Sequence, residues 1–175
     1  MSIRYQQVIP VDSLSELLVA EDPEIYYIHS GKGFSSSISL SIANSATGYI
    51  LLVTGNDNQH LHLRDYAIEA TSAPVTITLY EGATVSNSGT PVSVINLNRT
   101  SANTTTASLY SAPTVTGNGT QLIQHQLTGT KQDGGFGMTT SKEIVLNSNT
   151  NYLFAIANTS GGSSTVMVRP FWVEV

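Results

Sequence analysis

Apolar residues in this 175-residue chain recur at every second position of short segments, and clusters of turn residues separate those segments. Phe34-Ser-Ser-Ser-Ile38-Ser-Leu40-Ser-Ile42 alternates after its first step, and Val75-Thr-Ile-Thr-Leu-Tyr80 alternates throughout. His60-Leu61-His62-Leu63 puts both leucines on one face and both histidines on the other. Strand side chains point alternately to the two sides of a sheet, so this spacing sends one side of each segment inward. Tyr49–Val53, Glu143–Leu146, Tyr152–Ala157 and Val166–Val175 are apolar at nearly every residue, the pattern of strands covered on both faces. Turn chemistry lies between them in Gly55-Asn-Asp-Asn58, Ser86-Asn-Ser-Gly89, Gly117-Asn-Gly119, Asp133-Gly-Gly135 and Ser160-Gly-Gly162. Eight or more short strands at this spacing predict an all-β antiparallel sandwich or barrel. No repeat of 20–50 residues is evident, and no linker divides the chain. Thr128–Thr140, with four glycines, is expected to be a mobile loop.

The first two dozen residues follow another rule. Ser13-Leu-Ser-Glu16 has the form of a capping box, in which a hydroxyl and a carboxylate satisfy free amides at a helix start. Leu14, Leu17 and Leu18 then share one face, and Asp22-Pro23 is expected to end the helix. So short a helix needs a surface to pack on: its own sandwich or a neighbouring subunit. The predicted organisation is a short helical N-terminal arm over residues 1–24, carrying Ile3 and Tyr5 besides the leucines, and a β-sandwich over 25–175.

The surface is nearly without charge. Charged residues make up 11% of the chain, against about 25% in soluble domains, while Ser (22), Thr (21) and Asn (12) together number 55. The seven Lys and Arg never fall within ten positions of one another, which argues against a nucleic-acid partner, since phosphate neutralisation needs clustered positive charge. The longest apolar runs, Tyr49–Val53 and Tyr152–Ala157, are five and six residues, where a membrane helix needs about 20. The start lacks the apolar stretch of a secretory signal, and there is no cysteine, so folding in a reducing cytosol is expected. The acceptor-like sites at Asn98, Asn103, Asn118 and Asn158 are accordingly expected to be unglycosylated.

Chemistry is thinly represented. His60 and His62, with Asp57 and Asp65 nearby, have a spacing a transition metal uses, but no third ligand is assignable, His29 and His125 being remote in sequence. Glu69 and Glu81 are the carboxylates considered for a glycosidase-like pair. Neither a nucleophile elbow nor a P-loop is present, and Gly134-Gly-Phe-Gly137 follows no strand-to-helix pattern. No catalytic residue, cofactor or metal site is expected. Tyr26, Tyr27, Tyr49, Tyr66, Tyr80, Tyr110, Tyr152 and Trp172 are of a kind that stacks on sugar rings, or fills a core. Asn96, Asn98 and Arg99 combine two short amides with a guanidinium fork, suited to fixing a loop or to meeting a partner's carboxylate.

Several stretches, taken in order, resemble a known family. Tyr27-Ile-His29-Ser-Gly-Lys-Gly-Phe34, Ser72-Ala-Pro-Val-Thr-Ile-Thr-Leu-Tyr-Glu-Gly82, Gly89-Thr-Pro91, Asn96-Leu-Asn-Arg-Thr-Ser101, Pro113-Thr-Val-Thr-Gly117, Leu146-Asn-Ser-Asn-Thr-Asn-Tyr152, Ala157-Asn-Thr-Ser-Gly-Gly162 and Phe171-Trp-Val-Glu174 are similar to the capsid decoration (cement or staple) proteins of tailed bacteriophages. The resemblance implies a jelly-roll-like sandwich on the outer surface of the virion's capsid. It also implies the major capsid protein as partner, and the chain is expected to self-associate as a homodimer or trimer. The expected interface residues are Ile3, Tyr5, Leu14, Leu17 and Leu18 of the arm, with His29, Asn96, Asn98 and Arg99. The alternative function is a receptor- or glycan-binding module of a phage tail or surface structure.

Overall fold

A computed structural model of the chain describes residues 23–55, 60–128 and 143–175. Ile3, Tyr5, Leu14, Leu17, Leu18, Asp57 and the glycine-rich loop expected at Thr128–Thr140 lie, apart from Thr128, outside these residues. The first described element is a helix, α1 (Pro23–His29), where the sequence reading ended one. Proline lacks only an N–H that a first helical turn leaves unpaired, and its φ already suits that turn, so Pro23 can open α1; the helix expected before it lies outside the described residues. The helix crosses the expected 24/25 boundary.

Fourteen strands follow among the described residues: β1 (Gly33–Ser35), β2 (Ile38–Ile42), β3 (Thr47–Val53), β4 (Leu61–Ala70), β5 (Val75–Glu81), β6 (Thr84–Asn87), β7 (Thr90–Val92), β8 (Ile95–Asn96), β9 (Ser108–Ser111), β10 (Thr114–Gly117), β11 (Thr120–Leu127), β12 (Ile144–Leu146), β13 (Asn151–Asn158) and β14 (Ser164–Glu174). One sheet runs β12-β4-β14-β1-β8, with β2 beside β1 along the same β14; the other runs β11-β5-β13-β3-β9-β7. All pairings are antiparallel. With β1 and β2 counted as one interrupted strand, the chain passes back and forth between two four-stranded sheets, β1/β2-β14-β4-β12 and β3-β13-β5-β11. That is a jelly roll. The segment 82–119 is an insertion between β5 and β11, and it lays β8 against β1 and β9-β7 against β3, covering the β3 edge and the β1 part of the other.

The core lies between the sheets, where Trp172, Tyr66, Phe154, Ile50, Leu52, Ile68, Ile77 and Leu79 are essentially inaccessible. Tyr66 and Phe154 meet edge to face at 5.4 Å across it, a contact worth about 1 kcal/mol beyond the area it buries. The alternation in β4 changes phase: Leu61 and Leu63 point inward, then Tyr66, Ile68 and Ala70. A register shift opposite Phe171 and Trp172 absorbs the odd residue. Tyr152–Ile156 is buried on both faces, as expected. Glu143–Leu146 is not, since Val145 is 54% exposed, and β14 alternates until Trp172. Both belong to the sheet whose outer face has no covering layer among the described residues.

The other sheet is covered in part. On its outer face Leu51, Leu153 and Ala83 form a second buried cluster, against which Tyr49, Val53, Tyr80, Tyr110, Val85 and Val115 pack. Its lid is the antiparallel ribbon β6–β10. Here the structure corrects the sequence reading, because this face is built on a repeat. Residues 79–92 and 109–122 match at Leu79/Leu109, Tyr80/Tyr110, Thr84/Thr114, Val85/Val115, Gly89/Gly119 and Thr90/Thr120. A local two-fold axis relates them. Tyr80 pairs with Leu153 and Tyr110 with Leu51; Leu51 and Leu153 pair with each other; Val85 pairs with Val115. Each copy's third strand sits on the other copy's first strand, with Thr120 opposite Glu81 and Thr90 opposite Ser111.

Charge is distributed unequally over the two outer faces. On the β4–β14 sheet Arg169 pairs with Glu69, and His62 and Arg64 both engage Glu143, the Arg64 contact at 2.8 Å. On the opposite sheet the outward positions are Thr47, Tyr49, Leu51 and Val53 in β3, Thr76, Thr78 and Tyr80 in β5, Leu153, Ala155 and Ala157 in β13, and Gln124 and Gln126 in β11. None bears a charge.

Candidate functional site

Three stretches distant in sequence meet at one corner: the α1–β1 junction, the loop after β8, and the end of β14. The junction is fixed first by α1's own ending. Lys32 N donates to Tyr27 O and Gly31 N to Ile28 O, both at 2.9 Å, the double closure of a Schellman cap, and Gly31 takes the left-handed φ of 73° this requires. A side chain at Gly31 would in addition strike the Ser101 Oγ, 2.2 Å from its Cβ position.

Amides tie the loop to that cap. Asn96 is buried; its Nδ2 donates to Gly31 O at 2.9 Å and to Asn103 O at 3.0 Å, and its Oδ1 accepts from Asn98 N at 2.9 Å. Asn98 Nδ2 donates to His29 O at 2.7 Å, and Asn103 Nδ2 to Gly31 O at 3.2 Å. Arg99 Nη1 reaches Asn96 O at 3.4 Å. Of the residues expected at an interface, Asn96 is thus spent inside the subunit: burial and three bonds leave its amide nothing to offer a partner. Asn98 is mostly engaged in the same way, while the His29 and Arg99 side chains are exposed.

The third contributor is Glu174. It is 3% exposed, yet it is a carboxylate in an otherwise apolar stretch. Trp172 Nε1 donates to its Oε1 at 3.1 Å, Thr106 N to its Oε2 at 3.0 Å, and the Thr105 hydroxyl also donates to Oε1. Its own N–H donates to Lys32 O at 3.0 Å. No ion pair within 4.0 Å is made by Glu174 among the described residues. Between these pieces lies a cavity of about 390 Å³, lined by Gly31, Lys32, Phe34, Ala102, Asn103, Thr104, Thr106 and Glu174. Sequence reasoning passed over Glu174, Trp172 as a donor, and Asn103. The available signal was the acid itself, since a charge inside an apolar strand is expensive unless donors surround it.

The other predicted groups are scattered. His60 is exposed, and His62 is turned to Glu143. Glu69 and Glu81 belong to different sheets, so they flank no common cleft; Glu81 accepts from the Tyr152 hydroxyl at 2.7 Å. No three His, Asp or Glu residues converge for a metal among the described residues. Tyr66, Tyr152 and Trp172 are core residues and present no ring to a sugar. Burial pushes the hydroxyls of Tyr66 and Tyr152 up to about 12, reinforced by Asp65 for the first and by the bond to Glu81 for the second. No helix among the described residues is long and apolar enough to cross a membrane. No family model and no curated protein matches the chain.

Proposed function

We propose that the chain is a structural virion protein, a decoration subunit that binds the outside of a phage capsid shell and stabilises the junctions between capsomers. The observation carrying this reading is the pairing of a jelly roll with a broad outer sheet face free of charge. A face of Thr, Gln, Ala and Tyr can lie against another protein without desolvating ions, and desolvation is the main cost of burying charge at an interface. The capsid as partner comes from the sequence resemblance, whose stretches around His29, Asn96 and Glu174 are neighbours at the corner cavity. Many identical contacts over a shell add avidity of about 10² to 10⁴ over a single contact. Mixing the purified protein with undecorated heads should give saturable occupancy and heads more resistant to heat. Absence of both would overturn the proposal.

A second reading keeps some support from Tyr49, Tyr80 and Tyr110, which are half-buried on the neutral face. Glycan-array binding lost on Tyr80→Ala or Tyr110→Ala would favour a carbohydrate-binding module.

A further inference from the structure

We infer that the corner cavity is a socket for an alkylated guanidinium, the group an arginine side chain carries. The inference stands apart from the capsid reading and rests on the charge of Glu174. Three donors hold this carboxylate, and all are neutral: an indole N–H, a backbone N–H and a hydroxyl. They orient the anion and satisfy Oε1, but they bring no positive charge to a residue 3% exposed. Among the described residues Oε2 accepts only from Thr106 N, and a carboxylate oxygen has room for a second donor. A cation entering the cavity would fill that position and supply the missing charge, and charge-assisted bonds are about twice as strong as neutral ones.

The rest of the wall selects the kind of cation. Glu174 is the only acid lining the cavity among the described residues, and one carboxylate with no histidine or further acid beside it is too few for a zinc or a calcium ion. A second acceptor is present in Asn103. Its Nδ2 is committed to Gly31 O, and its Oδ1 takes no donor among the described residues. Two separated acceptors suit a planar fork of N–H groups better than a point-like ammonium. The cavity volume of about 390 Å³ falls in the range of small-ligand sites. Lys32 shares the lining without an ion-pair partner among the described residues, so its ammonium weakens the field of Glu174 and competes with an entering cation.

Trp172 provides the measurement, because it is the single tryptophan of the chain and its Nε1 bonds the same carboxylate. Titrating the full chain with methylguanidinium should move the one indole N–H resonance saturably, with a dissociation constant on the order of 1–10 mM. Glu174→Gln should weaken binding by about tenfold or more, and Lys32→Met should tighten it by roughly threefold to tenfold. No saturable shift in either the wild type or Lys32→Met overturns the inference, as does a shift unchanged in folded Glu174→Gln. If Glu174→Gln does not fold, Lys32→Met decides, tighter binding upholding the socket and unchanged binding refuting it. A capped Ala-Arg-Ala peptide separates the sources: binding at least as tight as methylguanidinium assigns the socket to a protein's arginine, and binding of the bare cation alone assigns it to a free small molecule.

Discussion

Val85 faces Val115 across the β6–β10 ribbon, and the two occupy the same place in the two copies of a repeated segment. The local axis passing between them continues through the Leu51–Leu153 pair below. Half of the covered outer face is therefore a rotated copy of the other half, and each site in one copy has a matched site in the second.

The glycines test this equivalence. Gly89 has φ of 93° and a Cβ there would stand 2.2 Å from Ser111 O; Gly119 has φ of 85° and a Cβ would stand 2.2 Å from Glu81 O. Alanine at either position should destabilise the fold by about 2–4 kcal/mol, from left-handed strain plus the backbone clash. Urea unfolding should find the two losses alike within about 1 kcal/mol.

The repeat also holds a mismatched pair. The left-handed turn that Gly82 makes with φ of 74° is made in the second copy by Ala112 with φ of 51°. Ala112→Gly should stabilise the chain by up to about 1 kcal/mol by removing that strain. Gly82→Ala, where a Cβ meets nothing within 4 Å, should cost about as much. Loss of stability in Ala112→Gly would contradict this account.

Asn158 is fully buried where the chain leaves β13 to cross to β14 in the other sheet. Its Nδ2 donates to Ile42 O and Gly162 O, both at 2.8 Å, and its Oδ1 accepts from Ser160 N at 3.0 Å. Asn158→Ala strands two carbonyls and an amide and should cost about 2–4 kcal/mol, measured by thermal or urea unfolding. The same burial leaves its acceptor-like sequence closed to a glycan in the folded chain.

His125 points inward from β11 with its Nε2 buried and unbonded, its ring 6.0 Å from that of Tyr66. Filling the space with an apolar ring removes a desolvation cost without opening a cavity. His125→Phe should raise stability by about 1 kcal/mol, visible as a higher urea midpoint with an unchanged slope.

Alkaline unfolding should follow two tyrosines. Tyr66 and Tyr152 have hydroxyls raised to about 12 in the folded chain, against about 10 in the unfolded one. Their neutral forms are favoured by folding, so the stability they add is whole below pH 10 and is lost as pH rises from 10 to 12. Tyrosinate absorbance should show Tyr66 and Tyr152 ionising near the top of that range, and Tyr152→Phe should flatten the loss of stability over the same range.

The legible parts of the fold were those where one rule acted alone. Period-two spacing marked β5, and unbroken apolar character marked β13, because neighbours on both sides bury it. Val145 misled because an apolar residue on an uncovered outer face looks in sequence like one beneath a second layer. The helix that starts at Pro23 was not foreseen because proline suits either side of a helix boundary. The repeat escaped because its identities are mostly Thr, Val and Gly in a chain rich in them, and Gly82-Ala83 in one copy is Ala112-Pro113 in the other. At the corner, the amides of Asn96 and Asn98 were legible as loop fixers. Their targets, the carbonyls of a helix cap some 65 residues earlier, depend on topology that local spacing does not carry.

The insertion between β5 and β11 has a consequence at high concentration. An open strand edge is a template for amyloid-like growth, and the danger rises when many copies are held side by side. Here β7, with three residues, one of them Pro91, ends one sheet in a stub, and β8, with two residues, does the same beside β1 in the other, where β2 keeps a free edge among the described residues. Neither stub is long enough to recruit an incoming strand, so among the described residues the open edge of β2, which pairs with β14 alone, is what remains on that side as a template when copies are crowded together.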